Sequence, residues 1–272
     1  MQKFKDFKKI KITFVGDIMQ HPEQLRYEED NDFDYDCFKN IKHLLKGDMV
    51  IGNLETTFSG YHGAPDDRNW HFVAPEKFAY ALKKAGFTHL VLANNHMFDS
   101  GYHGFELTKR VIKEAGMTPL CRLDYINIKG KSVQFLNFTT HFNPNKVTKD
   151  VLKKYKNYDI TNVDGDIKVA FAHWGGQYNP TPDKEQLSIG NYLMDKDYTV
   201  IGSGPHTPHQ IENNDKLVAY SLGDFLSDHQ KPNTTNKGII LNLTFENNKV
   251  IDYKETAIHT ETVKGSSTIK VS

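Results

Sequence analysis

The stretch VLANNHMFDSG, residues Val91 to Gly101, ends an apolar run with two amides, Asn94 and Asn95. An imidazole, His96, follows, and then a carboxylate, Asp99. The same punctuation recurs along the chain. ITFVG is followed by Asp17, MVIG by Asn53 and Glu55, and VAFA by His173. TVIG is followed, after Ser203-Gly204-Pro205, by His206, and VAYSLG by Asp224. Asp, Glu, Asn and His are hard-to-borderline ligands suited to Mn, Fe, Zn or Mg, and no thiolate is among them. Each residue also has a purely structural reading. Asp17 could cap a helix in PEQLRYEE. Asn53, Asn94 and Asp224 could be turn residues, His173 a satisfied core histidine and His206 a loop residue. Six polar strand ends in one chain make six accidents a poor explanation.

The elements that must position these residues are legible from periodicity. IKITFVG, DMVIGN, HLVLAN, IKVAFAHWG, YTVIGSG and LVAYSLG are short apolar, β-rich runs and read as buried strands. FDYDCFKNIKHLLKG places Phe38, Ile41, Leu44 and Leu45 on one helical face, ended by Gly47. APEKFAYALKKAG and GFELTKRVIKEAG are helices with Gly past their ends, and a helical stretch runs from Lys184 to about Met194. YINIKGKSVQFLNFTT and GIILNLTFENNKVIDYKETAI read as hairpins, and TKDVLKKYKN as a short helix. The polar residues 260–272 are expected to fray. Strand–helix alternation gives a layered α/β fold, and the hairpins make its sheet mixed or divide it into two sheets. In such sheets ligands bind outside the carboxyl ends of the strands, where these side chains lie.

Composition bounds the rest. The chain has 272 residues, 38% of them hydrophobic, enough for one large α/β domain over residues 1–272 with no visible linker. Lys plus Arg and Asp plus Glu are 34 each, so no nucleic-acid partner is expected, while a bound metal could still attract a small anionic ligand. The two cysteines, Cys37 and Cys121, form no disulfide framework or zinc motif. With no signal region and no apolar run of spanning length, the chain reads as cytoplasmic and without a membrane span.

At the residues already named, the sequence resembles a known family. VGDIMQH, GNLETTFSG, ANNHMFDSG, HWG, GSGPHTPHQIE and YSLGDF stand in the order found in the CapA/PgsA-type poly-γ-glutamate capsule proteins. That family is a branch of the calcineurin-like metallophosphoesterase fold. The resemblance runs from about Lys11 to Asp228. It implies a two-sheet mixed β sandwich flanked by helices, a four-layer αββα arrangement, with one or two divalent metal ions at the strand ends. By motif, Asp17 resembles the first-strand metal-binding aspartate, and Glu55 the carboxylate that bridges two metals. Asn95 resembles the asparagine ligand, His96 the neighbouring histidine over the leaving group, and His173 and His206 the later histidine ligands. Asn53 would orient Glu55 or bind metal itself. Asp99 would either hold His96 in one tautomer or cap the helix that follows.

The chain departs from the family pattern in three places. Met19 stands where phosphoesterases of this fold place a histidine, and His21 could reach the site instead. Gly204 stands where relatives commonly carry a histidine, and His209 is a candidate substitute ligand. Asp224 stands where relatives often carry asparagine, adding a carboxylate. The resemblance implies metal-assisted hydrolysis of a phosphoester or a γ-glutamyl amide, with His96 as general acid. The alternative is a non-catalytic accessory protein of polyglutamate synthesis with a degenerate metal site.

Overall fold

The structure, a computed structural model, describes residues 9–20, 37–58, 71–141, 165–214, 216–227, 236–263 and 266–272. In chain order its strands are β1 (Ile10–Ile18), β2 (Met49–Leu54), β3 (Thr57–Phe58), β4 (Val73–Ala74), β5 (His89–Val91), β6 (Thr118–Leu120), β7 (Leu123–Ile128) and β8 (Lys131–Thr139). They continue with β9 (Ile167–His173), β10 (Thr199–Ser203), β11 (Ile211–Asn213), β12 (Leu217–Ala219), β13 (Asp224–Leu226), β14 (Lys237–Glu246), β15 (Lys249–Val263) and β16 (Ser266–Val271). Three α-helices are described: α1 (Glu76–Ala85), α2 (Gly101–Glu114) and α3 (Lys184–Asp195).

Two mixed sheets carry the fold. One runs β16-β15-β14-β1-β2-β5-β6, with β13 also pairing β1, and the other runs β11-β12-β10-β9-β8-β7. The parallel strands β1, β2 and β5 lie side by side in the first, and β8, β9, β10 and β12 in the second. The two hairpins, β7–β8 and β14–β15, extend the antiparallel parts. Buried residues form three layers that fit this arrangement. Phe14, Ile51, Val91, Phe135, Phe171 and Ile201 join strands of both sheets into one cluster. Phe78, Leu82, Phe105 and Ile112 of α1 and α2 pack with Val15, Val50 and Leu90 of the first sheet. Leu193 of α3 packs with Ala170, Val200 and Val218 of the second. The strands carrying the candidate site are apolar on both faces because each sheet is covered twice. The result is the expected four-layer αββα sandwich.

Two sequence expectations differ from this arrangement. Phe38 and Ile41 are buried as expected, but the segment is a hydrogen-bonded turn leading to a 3₁₀ turn at Lys42–Leu44 rather than an α-helix. Residues 260–272 do not fray as a unit. Ser266–Val271 pairs antiparallel with Ile258–Val263 as β16, and Ile269 is buried in the first core. One apolar side chain and a ready partner strand fix a segment whose composition alone reads as tail. The helix expected in TKDVLKKYKN lies outside the described residues, as does His21. No helix among the described residues is long and apolar enough to cross a membrane.

Candidate metal centre

The site begins with a bulge in β1. Val15 pairs with Gly52 and Asp17 with Asn53, so Gly16 is skipped in the β1–β2 register. An extra residue of this kind bends the strand and re-aims its side chains. A Cβ on Gly16 would lie 1.8 Å from the carbonyl oxygen of Gly223, so only glycine fits. The Asp17 N–H donates to that same oxygen at 3.0 Å, and Asp17 lies in register with Asp224 of β13. The bulge thus places two carboxylates side by side at the end of the first sheet. The second sheet delivers His173 at the end of β9 and His206 after β10.

Asp17 is fully buried and heavily engaged. Its Oδ1 accepts from Asn53 Nδ2 at 2.7 Å and lies 3.6 Å from His173 Nδ1. Its Oδ2 accepts from the Gly204 N–H at 3.0 Å and lies 3.4 Å from His206 Nδ1. His206 Nδ1 is also 2.9 Å from Asp224 Oδ1. His173 Nε2 lies 3.5 Å from Glu55 Oε1, and His96 Nε2 lies 3.9 Å from that same oxygen. Two sets of buried ligand atoms result, Asp17–Glu55–His173 and Asp17–His206–Asp224, each within 4.8 Å. Asp17 is the carboxylate common to both sets. The resemblance gave that bridging place to Glu55, which here belongs to one set.

The lone pairs are the best evidence for what the centre holds. Both carboxylate oxygens of Glu55, Oδ2 of Asp224 and the amide oxygen of Asn95 are buried and receive no hydrogen bond. Buried acceptors are normally satisfied, and leaving a charged one bare is costly. Three bare carboxylate oxygens beside two imidazoles suit a divalent cation.

Electrostatics agree. Burial, and then the negative charge of Asp17, push Glu55 well above the usual carboxylate range. Burial likewise raises Asp224 to about 6, against the opposing pull of His206. Burial opposes charge on His206, but Asp224 and Glu55 outweigh it and raise that imidazole well above its ordinary value. Burial lowers His173. Asp17 is held low despite its burial because His173 and His206 both stabilise the anion. The set is therefore strained toward taking protons or a cation.

A pH dependence follows for the metal-free protein. The folded pKa of Asp224 lies above its unfolded value, so the folded form binds this proton more tightly. The associated stability is present below about 3.8 and is lost as pH rises toward about 6. Asp224→Asn removes that loss. In urea melts with chelator, the variant should gain on the wild type by roughly 2–3 kcal/mol between pH 4 and pH 6. A constant difference across that window would refute the assignment.

Around the centre, several residues position others. Asn53 gives Nδ2 to Asp17 and also lies 3.1 Å from His173 Nδ1, while its Oδ1 accepts from Asn94 Nδ2 at 3.0 Å. Its oxygen is thus committed to Asn94. Its amide nitrogen braces Asp17 and faces His173. Asn94 also donates to the Leu54 carbonyl and accepts from the His96 N–H. Asn94 and Asn53 therefore knit the ends of β2 and β5 together, a role that spacing alone did not reveal. Asp99 Oδ2 lies 2.7 Å from His96 Nδ1 and accepts the Phe72 N–H at 2.8 Å. Ser100, not Asp99, occupies the cap position of α2. An ionised carboxylate only accepts, so His96 carries its proton on Nδ1 and turns Nε2 toward Glu55. The Phe72 ring covers the imidazole with centroids 4.5 Å apart.

The expected substitute His209 and the departure at Gly204 fare differently from Asp224. His209 belongs to neither ligand set, because its Nε2 donates to the Asn179 carbonyl at 2.9 Å. Gly204 has φ +110°, and a Cβ there would lie 2.7 Å from the Trp174 carbonyl oxygen and 2.9 Å from its nitrogen. A side chain cannot enter where backbone packs on backbone. At this position the chain offers Asp17 a peptide N–H instead.

The comparisons with known proteins agree with this architecture. A Mycoplasma pneumoniae structure described as a novel phosphatase superposes with a TM-score of 0.57 at 15% identity, covering 93% of this chain and 94% of that one. A hypothetical protein from Thermus thermophilus superposes at 0.53 with 14% identity, over 91% and 98% of the two chains. At such identities the likeness carries the fold alone. In sequence, the capsule biosynthesis protein CapA of Bacillus anthracis is 29% identical, over 88% of this chain and 64% of that protein. The PGA biosynthesis protein CapA of Bacillus subtilis is 27% identical, over 85% and 67%. The chain thus spans about two thirds of the length of these relatives. Residues 11–229, which include every strand end of the centre, match the bacterial capsule synthesis protein family PGA_cap, and the chain belongs to that family.

Proposed function

We propose that this protein is a metal-dependent hydrolase whose substrate is a phosphoester or a γ-glutamyl amide. The observation that carries the reading is the group of buried oxygens without donors, Glu55 Oε1 and Oε2, Asp224 Oδ2 and Asn95 Oδ1. Asp17, Glu55 and His173 would hold one divalent ion, and Asp17, His206 and Asp224 a second. The oxygen-rich donor set favours Mn or Mg, with Fe and Zn compatible through the imidazoles. Bound there, such ions lower the pKa of a water and polarise the substrate oxygen.

The chain's own residues supply the rest. Asn53 and the Gly204 N–H hold Asp17 in one orientation. Asp99 and Phe72 fix His96 with Nε2 facing the centre; in the doubly protonated form, with Nδ1–H held by the Asp99 carboxylate, Nε2 can give its proton to a departing oxygen or nitrogen and is left as the neutral Nδ1–H imidazole. The family's link to poly-γ-glutamate makes a polyglutamate-type or other small anionic substrate the natural candidate.

A second reading has one observation behind it. The Gly204 N–H occupies a lone pair of Asp17 at the position where the resembled family places a histidine. A centre with one donor fewer could bind polymer or partner without chemistry. Metal content after equilibration with Mn²⁺, together with turnover of a generic phosphodiester and of a γ-glutamyl dipeptide, separates the two. Bound metal with turnover of either substrate supports the hydrolase. Bound metal without turnover supports the accessory reading, and folded protein that takes up no metal overturns the hydrolase.

A further inference from the structure

Between β9 and α3 the chain passes through HWGGQYNPTPD, residues 173–183, without regular structure but under tight restraint. The Gly176 N–H donates to Asp183 Oδ2 at 3.1 Å, and the Tyr178 N–H to the Pro205 carbonyl at 2.7 Å. The Asn179 N–H donates to the Gly176 carbonyl at 3.3 Å. Two histidines outside the ligand sets hold the same segment. His141 gives Nε2–H to the Gly175 carbonyl at 2.8 Å, and His209 gives Nε2–H to that of Asn179 at 2.9 Å.

This restraint holds Tyr178 where a tyrosine is costly. Its φ is +66°, in the left-handed region, and His206 across the Tyr178–Pro205 hydrogen bond has φ +57°. Non-glycine residues rarely adopt that region, and strain kept by so many bonds is found at working sites. A glycine would fit the backbone at position 178 without strain, so the side chain is what the segment retains. That side chain is half-buried, and its ring lies 6.0 Å from the buried His206 imidazole at an angle of 39°. It is therefore an aromatic neighbour of His206 in the Asp17–His206–Asp224 set, on a loop that leads out to exposed residues.

We infer that Tyr178 is a substrate-positioning residue of this centre, its phenol hydroxyl donating a hydrogen bond to an anionic oxygen, phosphoryl or carboxylate, held on the His206 side. The inference rests on the metal-centre reading above and adds to it the group that grips the ligand. Tyr178→Phe keeps the ring and its packing and removes only the hydroxyl, so it separates a packing role from a gripping one.

The test is calorimetry on the full chain, first with Mn²⁺ and then with inorganic phosphate or γ-glutamylglutamate added to the Mn²⁺-loaded protein. The expected result is a loss of oxyanion affinity in Tyr178→Phe of roughly tenfold to a hundredfold, as for a hydrogen bond to a charged group. Mn²⁺ affinity and melting temperature should match the wild type. Phosphate or dipeptide as the ligand affected tells a phosphoryl from a carboxylate oxyanion. Unchanged affinity for both, a parallel loss of Mn²⁺ affinity, or a wild type that takes Mn²⁺ but neither oxyanion overturns the inference and leaves the metal centre standing. A wild type that takes no Mn²⁺ overturns the metal-centre reading and this inference with it.

Discussion

Asp17→Asn should abolish cation binding at both halves of the centre and lower kcat/KM by about a thousandfold or more. Asp17 is the one ligand shared by the two sets, and a metal contributes several kcal/mol of transition-state stabilisation, each 1.36 kcal/mol being a factor of about ten. The variant should also weaken the protein without metal. Both Asp17 oxygens accept hydrogen bonds, one from an amide and one from a peptide N–H. An asparagine can accept on one side only and would turn its own NH₂ group against the donor on the other. That mismatch leaves a buried donor unpaired, at about 1–3 kcal/mol. Mn²⁺ titration and chelator-treated urea melts read the two effects separately. If Asp17→Asn kept one full equivalent of Mn²⁺, Asp17 would not be common to the sites and the proposed geometry would fail. Glu55→Gln is the informative control. Glu55 receives no hydrogen bond and is pushed by its neighbours toward the neutral form, so its loss should cost metal and spare the fold.

That contrast between two buried carboxylates shows which parts of the centre the sequence could and could not disclose. The strand ends were legible because an apolar β run followed by Asp, Asn or His is a one-dimensional pattern, and a parallel sheet aligns the carboxyl ends of its strands. A layered α/β fold was legible from strand–helix alternation, while the four-layer, two-sheet arrangement came only with the family resemblance. Roles that depend on register were not legible. Nothing local to VGD says that Gly16 is skipped, because the bulge is defined by Gly52 and Asn53 opposite and by the Gly223 carbonyl above. Asn53 reads as a ligand from its type, and only its amide geometry against Asp17, His173 and Asn94 makes it a brace. His209 and His206 are three residues apart and chemically identical, yet the left-handed turn at His206 sends one to Asp17 and the other to the Asn179 carbonyl. Gly204 reads as a lost ligand, while in the fold it is a position where backbone packs on Trp174 and contributes a donor. Motif reading is blind to backbone groups, because every residue carries them.

His96→Ala should lower kcat by about a hundredfold to ten-thousandfold, the range for loss of a general acid, with metal content and KM little changed. His96 belongs to neither metal set, and its imidazole stands 3.9 Å from Glu55 at the edge of the centre. The residue is partly accessible, unlike the buried histidines His173 and His206, as a group that meets substrate must be. Asp99→Asn tests how that imidazole is held. With a carboxylate at 2.7 Å, Nδ1 keeps the proton and Nε2 faces the centre. An amide at the same place can either accept from Nδ1 or donate to it, so the preference for one tautomer is lost, at a cost of about tenfold to a hundredfold in kcat. Oδ2 also accepts the Phe72 N–H, so the flip that turns the amide NH₂ toward Nδ1 sets it against that N–H as well, and chelator-treated urea melts read this structural share. The double variant decides the pathway of the effect. If Asp99 acts through His96, adding Asp99→Asn to His96→Ala changes kcat no further. Additive losses would mean that Asp99 shapes the centre by another route. Full activity in His96→Ala with metal bound would remove the general acid from the mechanism and leave catalysis to the cations alone.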